Sequence, residues 1–165
     1  MCSSALANFF INKAKEECII MSNLKLQKLM FIGYGWTLAL IDKDLTETEG
    51  FEAWQHGPVL PSIYHQMKCY GDTPITKPAM DYDSDENKVY IPIIQDKCVK
   101  EILEKVWGIY KSFSAWSLRN LTHETDSPWD SSFERKLMFI HIPEEEVKKY
   151  YTKYITALLD EDEDD

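Results

Sequence analysis

The sequence predicts an α+β domain, predominantly helical, with a central buried helix at residues 24–41, further helices around it and a small β-sheet. Three observations carry that expectation. No charged side chain occurs between Lys28 and Asp42, so a helix there must be covered on nearly every side. Behind Asp96, a natural N-cap, Val99, Ile102, Leu103, Val106, Tyr110 and Phe113 recur at helical spacing. The run KVYIPII at 88–94 sets Val89, Ile91 and Ile93 against Lys88, Tyr90 and Pro92. That alternation is the pattern of a half-buried strand, and its proline belongs at a sheet edge.

A chain of 165 residues is one domain in size. Residues 1–159 are read as that domain, and 160–165, six consecutive acidic residues, as a disordered tail. The formal charge is −10, and −4 without those six carboxylates, a balance that argues against a nucleic-acid partner. Cys2, Cys18, Cys69 and Cys98 are scattered without a CxxC pair, so neither a zinc cluster nor a disulfide framework is expected. The N-terminal stretch lacks a basic region and a small-residue cleavage site. The apolar run after Lys28 falls short of the roughly 20 residues that span a bilayer. The expected location is the cytoplasm, with no membrane contact.

Taken in order, Ser3 or Ser4 is placed to cap a first helix in which Leu6, Phe9, Phe10 and Ala14 form the apolar side, ending near Cys18. Ser22 is the expected cap of the central helix. Along that helix Leu26, Leu29, Met30, Gly33, Thr37 and Leu40 form one stripe, while Phe31, Ile32, Tyr34 and Leu38 cover much of the remainder. Gly33 and Gly35 each cost about 1 kcal/mol relative to alanine in a helix interior, which a tightly packed neighbouring element would offset. A polar loop follows Asp42, and residues 51–54 suggest a short strand that can pair with the strand at 88–94. Gly57-Pro58 is read as a sharp bend, Pro61 as the first turn of a helix through Tyr70, and Gly71 as its stop. Residues 72–87, polar and acidic with two prolines, read as a long exposed loop. Ser114 caps a further short helix, Pro128 opens another, 137–142 suggests a last strand, and Pro143 precedes a final helix with Glu144, Glu145 and Glu146 in its first turn.

Signatures of catalysis are sparse. His65 and Cys69 are four apart on one predicted helix, a spacing that suits a base and thiol, half a metal site, or simply a polar helix face. His56 and His123 fall in loops or at helix ends, where a histidine can satisfy buried backbone groups; as metal ligands they lack an identified third partner. No HExxH, GxSxG or GxxxxGK occurs, so no catalytic residues, metal or cofactor are expected.

Three stretches together, LKLQKLMFIGYGWTLAL, EAWQHGPVLPSIYHQMKCYG and LRNLTHETDSPWD followed by IPEEEVKKYY, resemble the Panacea domain, also called the SocA-like antitoxin or phage-associated-protein domain, from about residue 5 to 155. The resemblance implies an antitoxin of a bacterial or phage toxin–antitoxin pair that neutralises a co-encoded toxin by direct protein–protein binding. It also implies a proteolytic adaptor as the alternative, since some members deliver the toxin to an ATP-dependent protease; a small His/Cys-dependent enzyme is the less favoured reading. Signature positions carried over are Lys28, Leu29, Trp36, Trp54, His56, Gly57, Pro58, Val59, Tyr64, Leu121, Thr122, His123, Pro128 and Trp129, read mainly as fold determinants. Some members carry an added DNA-binding domain, which is not expected in a chain of this length. The expected partner surfaces are the loop 72–87 and the segment 128–142, where Trp129, Phe133, Met138 and Phe139 supply anchors.

Overall fold

A computed structural model describes residues 2–47, 49–133, 137 and 140–163, with the side chains of 161–163 left out. Helix α2 (Asn23–Ile41) runs through the centre, and α1 (Ser3–Glu16), α4 (Lys97–Tyr110), α5 (Ala115–Thr122) and α7 (Glu144–Glu163) pack around it. The Ser22 side chain accepts from the Lys25 amide and so caps α2, while the left-handed Asp42 ends it. Burial extends further toward the N-terminus than the charge-free run implied, because Lys25, Gln27 and Lys28 are buried as well. At the other end Leu40, placed on the buried stripe, is exposed.

The two glycines of α2 are explained by what lies against them. A Cβ on Gly33 would sit 2.7 Å from a Leu103 methyl of α4, and one on Gly35 would fall inside the Tyr151 ring of α7. Each glycine lets one neighbouring helix approach α2 closely. Around Tyr151 the aromatic packing continues through Phe31, at 6.0 Å between ring centroids, and on to Phe51 at 5.1 Å.

Capping follows the sequence for α4, where Asp96 accepts from Val99 N, and for α5, where Ser114 accepts from Ser117 N. Helix α6 (Pro128–Ser132) has Pro128 in its first turn and is capped by Ser127. Helix α1 departs from expectation. Its N-cap is Cys2, with no side-chain cap, because Ser3 and Ser4 donate instead to the Glu49 and Asp81 carboxylates. Helix α4 ends at Tyr110, and Phe113 lies beyond it, partly exposed.

The strands depart further. β1 (Glu52–Trp54) pairs with β2 (Gly57–Val59) around a two-residue turn at Gln55 and His56, so the bend precedes Gly57 and Gly57-Pro58 is strand. The segment 81–90 forms a separate hairpin of β3 (Asp81–Asp83) and β4 (Lys88–Tyr90). The expected pairing of residues 51–54 with 88–94 is therefore wrong, because each segment finds its partner in the adjacent strand of a short hairpin. The expected loop 72–87 is corrected too: it contains β3, and Ile75 and Ala79 are buried. Over 88–94 the expected alternation is absent from β4, where Lys88, Val89 and Tyr90 are all exposed, and is inverted after it, with Ile91 and Ile93 at 52% and 56% exposure and Pro92 and Ile94 buried. Asn8, fully buried on α1, explains the inversion: it donates to the Ala79 and Pro92 carbonyls and accepts from Ala79 N, which pins the hairpin base with Pro92 inward.

After β2, α3 (Pro61–Met67) runs into a 3-10 turn, Lys68–Tyr70, and stops at Gly71, which has φ +53°. The strand expected at 137–142 is represented, among the described residues, by a single bridge. His141 lies opposite Glu52, with Ala53 N donating to Ile140 O and Ile142 N to Phe51 O. Helix α7 extends to Glu163 and so takes in residues 160–163 of the acidic run; residues 164–165 lie outside the described residues.

Candidate partner-binding cavity

The polar N-terminal half of α2 holds the β1–β2 hairpin in place. Gln27 accepts from Leu60 N at 2.8 Å, and Lys28 Nζ donates to the Pro58 carbonyl at 2.7 Å. A proline in β2 has no N–H to offer, so its carbonyl is the group through which the strand is tied to the helix. Gly57 has φ +101°, and a Cβ there would sit 2.7 Å from Lys28 Nζ and 2.9 Å from the His123 ring. The glycine both adopts a left-handed backbone and gives the ammonium its space.

Lys28 is fully buried. Burial, reinforced by the Arg119 guanidinium, holds its ammonium well below the ordinary lysine range. Beside it, His123 Nδ1 lies 2.6 Å from the Arg119 carbonyl, and its ring packs 3.5 Å from the Trp129 ring. Burial lowers the His123 value, against the opposing pull of that carbonyl. Trp129 donates its Nε1–H to the Trp54 carbonyl at 2.8 Å and stacks on Phe133 at 4.6 Å. These contacts join α6 to the hairpin.

Between the hairpin, α3, α5 and α6 opens a cavity of about 1120 Å³. Trp54, Tyr64, Trp116, Trp129 and Phe133 provide aromatic walls, and Lys28, Lys68 and Arg119 are its cations, against Asp72 as the one acid among the described lining residues. Arg119 lies 5.9 Å over the Trp116 ring, a cation–π arrangement. Trp116 and Leu137 stand at 60% and 55% exposure.

Of the residues singled out from sequence, Lys28, Trp54, His56, Val59, Tyr64, Trp129 and Phe133 line this cavity. Gly57, Pro58 and His123 stand behind it. Leu121, Thr122 and Pro128 face a small crevice against Tyr150, Tyr151 and Tyr154 of α7 instead. Leu29 and Trp36 are buried in α2, the indole N–H of Trp36 without a hydrogen-bond partner among the described residues. Trp129 is buried rather than a free anchor, because its N–H donates to the Trp54 carbonyl and its ring packs on His123 and Phe133; Met138 and Phe139 lie outside the described residues. His65 and Cys69 are both exposed, Cys69 Sγ turning to the Gln66 carbonyl, and no group of three metal-capable side chains occurs among the described residues. Trp116 and Arg119 were missed, although their i, i+3 spacing on a short helix was a readable signal that they share a face.

Fold and site together define a mostly helical domain with an open aromatic cavity, and no helix among the described residues is long and apolar enough to cross a membrane. The profile described as "Antitoxin SocA-like, Panacea domain" matches residues 26–130, and the chain belongs to that family. A curated relative, Antitoxin SocA of Caulobacter vibrioides, is 33% identical over 128 residues, which is 76% of this chain and 67% of the relative. No solved structure matches the chain.

Proposed function

We propose that this chain is the antitoxin of a toxin–antitoxin pair, acting in the cytoplasm, and that it neutralises a co-encoded protein toxin by binding it directly at the aromatic cavity. The carrying observation is that the family match, residues 26–130, contains the hairpin, α3 and α5 and most of the cavity lining. Tryptophan, tyrosine and arginine around a concave surface are the residue types that dominate binding energy at protein interfaces. No catalytic step is required of it.

Coexpression with the toxin candidate from the neighbouring reading frame tests this reading. The wild-type chain is expected to rescue growth and to copurify with the toxin. Trp116→Asp combined with Leu137→Asp should abolish both while leaving the melting curve in place, since both side chains are exposed. Delivery to an ATP-dependent protease would appear in the same cultures as protease-dependent loss of the toxin. Lethality of every neighbouring candidate, with no copurifying partner, would overturn the assignment.

A further inference from the structure

The chain carries 28 acidic and 18 basic residues, yet its cavity is lined by three cations and one acid among the described residues. None of the ion pairs among the described residues includes Lys28, Lys68 or Arg119; those pairs join Lys13, Lys43, Lys88, Lys97, Lys111 and Lys148 to Glu17, Glu104, Asp96, Glu86, Glu101 and Asp42. Among the described residues Lys28 Nζ has one hydrogen bond, to the Pro58 carbonyl, where an ammonium can donate three. Arg119 donates one Nη–H to Asn120 Oδ1 at 3.2 Å at the surface, and among the described residues its buried Nε–H has no acceptor. Lys28 is buried and Arg119 partly so, whereas Lys68 is exposed; basic groups withdrawn from water without a counter-charge are costly, and a counter-ion arriving between apolar walls would meet little screening.

From this geometry we infer that the cavity receives a carboxylate of the partner protein, carried on or beside an aromatic or aliphatic side chain. The inference rests on the reading that this cavity is the partner contact. The guanidinium of Arg119 offers a planar fork matched to two carboxylate oxygens. Trp54, Trp116 and Phe133 are the surfaces for the apolar stem. A phosphate is the poorer fit, because it has no apolar stem to set against the aromatic walls. The partner's carboxylate has two sources, an Asp or Glu side chain or the chain terminus.

The test needs no toxin at its first stage. Benzoate, its uncharged near-isostere benzamide, and inorganic phosphate are titrated into the full chain while the tryptophan indole N–H resonances are followed. Benzoate should shift the Trp54, Trp116 and Trp129 signals and bind at least about tenfold more tightly than benzamide, as a charge-assisted pair requires. Arg119→Gln should remove that preference, and Arg119→Lys should restore part of it. Lys68→Gln, at an exposed position, serves as a second variant and should weaken benzoate alone if Arg119→Gln does not fold. Equal response to benzamide, no response to benzoate, or phosphate competing as strongly as benzoate would each overturn the inference. With a copurifying toxin, Asp/Glu→Asn/Gln changes and truncation of its C-terminus separate the two sources; binding that survives both would also overturn it. Rescue without benzoate selectivity sinks the carboxylate site alone, whereas selectivity without rescue sinks the antitoxin reading.

Discussion

Glycine, histidine and leucine positions test the packing at the residue scale. Because the ring of Tyr151 occupies the space where a Gly35 Cβ would lie, Gly35→Ala should cost at least about 1–3 kcal/mol, the range of overpacking. Leu29→Ala, at a fully buried position, should cost about 2–5 kcal/mol through lost transfer energy and a cavity. Denaturant titrations check both, and a cost below about 1 kcal/mol in either would place the residue outside the tight core. His123 adds a pH dependence. Its value is lowered in the folded chain, so the unfolded chain binds the proton more readily. Its contribution is complete above the ordinary histidine value, near 6.5, and is lost as pH falls through that value toward the depressed folded one. The denaturation midpoint should drop over that window, and His123→Gln should flatten the drop.

The β3–β4 hairpin is the informative case at the element scale. Period-2 alternation identifies which residues share a face, and in a two-stranded ribbon nothing in that period says which face meets the core. Here Asn8 and the buried Pro92 decide it, and Val89, Ile91 and Ile93 look outward, with Tyr82 directly opposite Val89. Replacing Val89, Ile91 or Ile93 singly with threonine should therefore change stability by no more than about 0.5 kcal/mol. Ile94→Ala should cost about 2–5 kcal/mol. A reversed order in urea melts would restore the half-buried reading. Helices were more legible, because their signals are local: serine or aspartate caps at Ser22, Asp96 and Ser114 act within three residues of themselves.

Charge is the property of the whole molecule that bears on partner capture. The acidic run begins inside α7, where carboxylates at a helix C-terminus oppose the macrodipole. Deleting residues 160–165 should leave the melting temperature unchanged or slightly raised. If the run steers a basic toxin, the deletion should slow association, and the difference should shrink as salt rises. Stopped-flow association at two ionic strengths measures it, and an equal rate for both chains at low salt would remove the steering role.

The central helix, the apolar face of α4 and the family itself were settled by sequence, because burial of a charge-free run, 3.6-residue periodicity and short motifs are properties of contiguous residues. Strand partners, the orientation of the 80–94 ribbon and the cavity were decided only by tertiary structure. Lys28, Trp54, Trp116, Arg119 and Trp129 come from separated segments. What makes them a site is the tie between Lys28 and the Pro58 carbonyl, and between Trp129 and the Trp54 carbonyl. Those bonds join residues 30 and 75 positions apart, a separation at which local propensity carries no information and only the packed chain brings the groups together.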